Sequence, residues 1–165
     1  MVIFRPNLRL VFCLALVALG LGPLAAQDTR GSLVPGSQIL LMDGTSAKVE
    51  DLQVGSVIWT WAPPNPPVPG KITGKRPQNT DFYLKLQAGG RILSATGSHR
   101  IAREGGKLVW LNTVQPGDRV WVWGPEGAEG VPVSSVRELP VTILAWDLTV
   151  EGHRLFQVNG ILVGD

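Results

Sequence analysis

His99 and His153 are the only histidines of the 165-residue chain, and Cys13 is its only cysteine. General-base or metal chemistry therefore has to pass through two imidazoles. A zinc centre needs three or four protein ligands. Two histidines without thiolates would need carboxylates at ligand spacing, and none is visible, so neither a metal nor another cofactor is expected. A Ser/His/Asp hydrolase is compatible with the composition. However, the chain has no Gly-x-Ser-x-Gly elbow and no alternation of strands with helices to carry one.

The N-terminal residues belong to a different kind of signal. Arg5 and Arg9 precede an uncharged apolar run, Leu10 to Leu21, which is followed by Gly22, Pro23 and a small-residue end at Ala25-Ala26. This reads as a secretory signal over residues 1–26, and a short leader over 27–31 then precedes one domain over 32–165. The apolar run is short for a bilayer span. An uncleaved anchor is the alternative, and it is the only membrane contact foreseen. The expected location is secreted or periplasmic. The whole chain is formally +2, with 15 basic and 13 acidic residues; removing Arg5 and Arg9 leaves a net charge of 0. No basic footprint for nucleic acid remains. Cys13 lies inside the apolar run, so disulfides, thiolate metal sites and thiol nucleophiles are excluded from the mature chain.

Short apolar runs then recur between Gly, Pro, Asp and Asn: Gln38–Met42, Ser56–Trp61, Phe82–Leu86, Arg91–Ala95, Lys107–Leu111, Arg119–Trp123, Val141–Val150, Leu155–Val158 and Ile161–Val163. That pattern predicts an all-β domain with tight turns at Asp43-Gly44, Gly89-Gly90, Gly105-Gly106 and Asn159-Gly160. The stretch from Ala62 to Gly70 carries five prolines and is expected to be an exposed, partly polyproline loop outside any sheet ladder. An internal repeat runs at an offset of 62 residues. It lays Leu52-Gln53-Val54-Gly55 and Trp59/Trp61 over Val114-Gln115-Pro116-Gly117 and Trp121/Trp123. The expectation is two duplicated β units about a pseudo-two-fold axis, with the Trp residues in the core and on sheet faces.

Taken in order, four segments resemble the Hint domain, the hedgehog/intein autoprocessing family, in a degenerate form of the bacterial intein-like and polymorphic-toxin type. They are Gly36-Ser37-Gln38-Ile39 with Asp43-Gly44, then Val49-Glu50-Asp51-Leu52-x-Val54-Gly55, then Thr96-Gly97-Ser98-His99, and last Asp147 to Val163 with its Asn159-Gly160. The resemblance covers about residues 31–165. It implies a self-directed acyl shift whose substrate is the chain's own backbone. On that mapping Ser32 would be the nucleophile and Gly31 would supply the attacked carbonyl. Thr96 and His99 would hydrogen-bond the peptide and protonate the leaving amine. Asp147 would act on the nucleophile's proton, and His153 matches a histidine of the closing segment.

The chain also departs from the family pattern. The nucleophile is Ser rather than Cys, and a hydroxyl ionises far less than a thiol. A register one residue longer would put Gly31 in the nucleophile position and leave none. Gly164-Asp165 stands where the family has His-Asn, and cyclisation needs the Asn amide nitrogen. With no residue following Asp165, no C-terminal segment is foreseen for release either, and the domain is expected to be splicing-incompetent. Each site residue also has a structural alternative. Ser32 suits a turn or strand edge, and Thr96 with His99 a buried pair satisfying backbone groups. Asp147 suits a turn cap or an ion pair, and His153 an exposed loop. Three functional expectations result. The first is self-cleavage at Gly31-Ser32. The second is a catalytically silent Hint-fold module that binds a protein partner through its Trp-rich sheet or proline loop. The third is one part of a larger secreted toxin-delivery architecture.

Overall fold

The computed structural model describes residues 30–165. The expected signal segment and most of the leader lie outside these residues. Thirteen strands follow one another: β1 Gln38–Leu40, β2 Ser46–Lys48, β3 Val57–Trp61, β4 Val68–Thr80, β5 Tyr83–Ala88, β6 Arg91–Ala95, β7 Arg100–Ala102, β8 Leu108–Trp110, β9 Arg119–Gly124, β10 Gly127–Leu139, β11 Ile143–Val150, β12 Leu155–Val158 and β13 Ile161–Gly164. A single 3-10 turn, Leu111–Thr113, is the only helical element among the described residues. All pairings are antiparallel, and the main path runs β11-β4-β3-β12-β13-β9-β10-β5-β6.

The duplication is visible in the backbone hydrogen bonds. Leu41 N–H to Thr45 O (2.8 Å) repeats as Arg103 N–H to Lys107 O (2.9 Å). Val49 N–H to Ser37 O repeats as Leu111 N–H to His99 O, both at 2.8 Å. Gly55 N–H to Ile72 O (2.8 Å) corresponds to Gly117 N–H to Val133 O (2.9 Å). Gly55 and Gly117 have φ of 97° and 94°, a left-handed turn that a β-carbon would strain, so both copies keep glycine there. The long strands are exchanged between the halves: β4 pairs with β11 of the second half, and β10 pairs with β5 of the first. Trp61 and Trp123 correspond under the repeat and touch, with ring centroids 5.2 Å apart. Two residues related by a two-fold can meet only at the axis, so this pair marks it. Trp61 is buried, and Trp59, Trp121 and Trp123 pack around it in a second core cluster.

The two ends of the sheet meet on the residues that precede β1. Leu33 bridges to Trp146 in β11 and to Ala95 in β6. Leu33 and Trp146 exchange both backbone hydrogen bonds at 2.8 Å, and Val34 N–H donates to Ser94 O at 3.1 Å. The Leu33 side chain is fully buried in the main core. Trp146 is held from its other side by Lys75, whose Nζ lies 4.3 Å from the ring centroid and donates to the Glu50 and Leu52 carbonyls.

The proline-rich loop is shorter than the sequence suggests. β4 begins at Val68 and places Pro69 opposite Trp59 and Gly70 opposite Ile58. Near a strand's start a proline removes one donor but keeps its carbonyl. The sequence pattern did not reveal β2, β4, β7 or β10. β4 contains Gly70, Gly74 and Pro77, and β10 contains Gly130 and Pro132. Both are crossing strands with little apolar alternation, β4 mostly exposed and β10 mostly half-buried.

The closing contact sets a stability expectation. Leu33→Ala should destabilise the domain by about 2–5 kcal/mol, read from urea unfolding, because it empties a buried site between two strands that cannot collapse onto each other. A loss below about 1 kcal/mol would mean the sheet does not close on this residue.

Candidate active site

The segment that closes the sheet brings the expected nucleophile to the expected helper residues. Leu33 is fixed between β6 and β11, so Ser32 lies against the end of β6, where the chain turns through Thr96-Gly97-Ser98-His99. Ser32 is fully buried, and Thr96 and His99 are nearly so. The Ser32 N–H donates to Thr96 Oγ1 at 2.8 Å, and the Thr96 N–H donates to the Ser32 carbonyl at 2.9 Å. The turn itself is held by His99 N–H to Thr96 O at 3.0 Å.

Gly31 lies directly against His99. A β-carbon at residue 31 would overlap the His99 backbone, so glycine is what allows the approach. Burial pushes the His99 pKa down to about 4. A hydrogen bond to the Gly31 backbone and the charge of Asp165 pull it up more weakly. A backbone group that favours the protonated imidazole is an acceptor, which here is the Gly31 carbonyl. The other ring nitrogen, Nε2, is buried and meets no hydrogen-bond partner among the described residues. A proton added there would be a buried donor with nothing to bond, so the imidazole stays neutral at pH 7. The 31–32 peptide is thus held at its N–H by Thr96, and its Gly31 side lies against His99.

The Ser32 hydroxyl donates to Gln78 Oε1 at 2.7 Å. Gln78 is on β4, opposite Ala145. It lines a cleft of about 750 Å³ with Arg30, Arg76, Thr96 and Asp147. Asp147 is nearly buried, and its Oδ2 lies 3.7 Å from Arg76 Nη2 across the β4–β11 pair. A hydroxyl has one hydrogen, so while it is given to Gln78 it is not given to Asp147. Sequence reasoning missed Gln78 because β4 was not recognised as a strand, and no local motif marks the position.

His153 is placed elsewhere. It sits on the loop between β11 and β12, its N–H 3.3 Å from Thr60 Oγ1, and it lines a separate hollow with Trp61 and Trp121. Gly152 packs against Thr60 and Gly70, which lays this loop over the β3–β4 hairpin. The closing segment instead ends beside the strand that follows His99. Gly164 is opposite Arg100, and Asp165 Oδ2 accepts from Val150 N–H at 3.0 Å. Among the described residues no group of three or more potential ligands could hold a metal ion.

No known family pattern and no curated protein sequence matches the chain. Solved structures do. A bacterial intein-like domain from Clostridium thermocellum superposes with a TM-score of 0.72 at 19% identity, covering 81% of this chain and 98% of that one. A DnaB intein from Synechocystis sp. PCC 6803 gives 0.74 at 22% identity, over 81% and 97%. The TvoVMA intein gives 0.72 at 19%, over 81% and 96%. The fold is therefore the Hint fold that these inteins share, all-β with the pseudo-two-fold duplication.

The buried histidine dictates a pH dependence. Its folded pKa of about 4 lies below the ordinary value of 6.5. Its neutral form therefore supports the fold fully above pH 6.5, and that support is lost as the pH falls to 4. The native chain should lose about 3 kcal/mol over this window from His99 alone. In His99→Gln that part of the pH dependence should be missing from urea titrations. Parallel curves for the two proteins would contradict the assignment of a buried neutral imidazole.

Proposed function

We propose that this protein is a secreted, splicing-incompetent autoprocessing domain that performs an N-to-O acyl shift at Gly31-Ser32. The observation that carries the reading is the setting of the 31–32 peptide, its N–H on Thr96 Oγ1 and its Gly31 packed directly against His99. In the shift, Ser32 Oγ bonds to the Gly31 carbonyl carbon and the Gly31 C–Ser32 N bond breaks. The hydroxyl gives up its proton to the cleft, and the amine gains one. The carbonyl oxygen becomes negative on the way, where a fixed imidazole N–H stabilises it. The Thr96 oxygen holds the N–H at the start and can present its own hydrogen once the nitrogen becomes basic. Asp147, lining the same cleft, is the carboxylate proposed to take up the hydroxyl proton. The product is an ester open to water or a small nucleophile.

Splicing is absent from this proposal because Asp165 offers no amide nitrogen for cyclisation. Secretion rests on the signal-like segment before Gln27. The rival reading, a silent Hint-fold module, is favoured by one observation: the Ser32 hydroxyl faces a neutral amide rather than a base.

Intact mass spectrometry of the full chain, expressed with its N-terminal segment in a secreting host, separates the two. The expected result is a native chain that begins at Ser32 after hydroxylamine, while Ser32→Ala and His99→Ala begin near Gln27. One identical mass for all three, insensitive to hydroxylamine, would establish the silent module instead.

A further inference from the structure

The Ser32 hydroxyl has a partner that the self-cleavage reading does not use. Gln78 Oε1 accepts its hydrogen at 2.7 Å from a strand that approaches the nucleophile across the cleft. Gln78 is solvent-exposed along β4, between Arg76 and Thr80 on the same face, while Ser32 is fully buried. The contact therefore comes from the open side of the cleft, through which the hydroxyl proton has to leave. An amide oxygen can orient that proton, but it cannot keep it. A carboxylate or imidazole at the same distance could do both.

We propose that Gln78 is a positioning residue that regulates the nucleophile, orienting the Ser32 hydroxyl without itself serving as a base, so that the Gly31-Ser32 peptide persists as a slowly converting bond. The inference rests on the acyl-shift reading of that peptide. It makes residue 78 the rate-setting position. An acceptor of the same shape with a negative charge takes the proton from Ser32 Oγ as the Oγ–C bond forms, and the amine nitrogen receives a proton as the C–N bond breaks. An apolar side chain there leaves the hydroxyl unoriented.

The test follows ester formation by hydroxylamine capture and intact mass, from pH 4 to 8, in the full chain and in Gln78→Glu, Gln78→Leu and Ser32→Cys. Position 78 is exposed, so its substitution should leave folding intact, which the urea midpoint of each variant checks. The expected result is a rate at least about tenfold above native for Gln78→Glu near neutral pH. That gain should disappear as the introduced carboxylate protonates near its ordinary pKa of about 4.3. Gln78→Leu should be slower than native, with no new inflection. Ser32→Cys supplies a nucleophile that ionises without help and tests the underlying reading by capture with a small thiol. If Ser32→Cys forms a thioester while Gln78→Glu runs at the native rate or below, or Gln78→Leu runs at the native rate or above, the role of Gln78 is overturned and the acyl shift stands. If Ser32→Cys forms no thioester, the acyl shift and the inference built on it both fall.

Discussion

The structure depends on how a curled sheet ends. Its two terminal strands, β6 and β11, do not pair with each other. They pair with Leu33, a residue inserted between them that donates and accepts at 2.8 Å with Trp146 and is fully buried. An extended backbone wedged between two strands has its register set by the hydrogen bonds on both sides. One residue earlier, Ser32 has no freedom left: its carbonyl is on Thr96 N–H and its N–H on Thr96 Oγ1. The fold therefore positions a particular peptide bond, and the constraint that closes the sheet also aims that bond at His99.

The electrostatics follow from the same burial. A buried imidazole is kept neutral because charging it would leave an unpaired N–H in the core. Neutral, it can donate once, and Gly31 is the backbone that lies against it. Such a group is suited to stabilising a developing oxyanion, not to acting as an ionised acid at rest. Asp165 contributes only a weak opposing charge to His99. The Ser32 hydroxyl hydrogen is accepted by Gln78, while Asp147, lining the same cleft, pairs with Arg76 across the strand pair.

Much of this was legible in the sequence, for identifiable reasons. Strands such as β6 and β12 are bounded by turn residues and appear at the expected limits, Arg91–Ala95 and Leu155–Val158. The 62-residue repeat was readable because Gly55/Gly117 and the Trp pairs sit at positions the duplicated turn and the axis both require. Thr96 and His99 were identified by their motif and Ser32 by its spacing from Gly36, and the structure brings the three together. The exchanged strands β4 and β10 were not legible, because a crossing strand that pairs outside its own half needs neither alternation nor freedom from glycine. Gln78 lies on one of them and so remained hidden. His153 matched a motif, but the loop that carries it packs on β3 and β4, and sequence order alone does not decide which side a loop falls on.

The central claim is that the 31–32 peptide is clamped before any reaction occurs. Hydrogen exchange at the Ser32 amide, followed by NMR in Ser32-containing native protein and in Thr96→Ala, measures that clamp directly. The account predicts that this amide is among the protected core amides in the native chain, and that its protection falls at least about tenfold when the Thr96 oxygen is removed, as loss of a buried hydrogen bond implies. A Ser32 amide that exchanges as fast as an exposed loop in the native protein would contradict the account, leaving the fold without a held scissile bond.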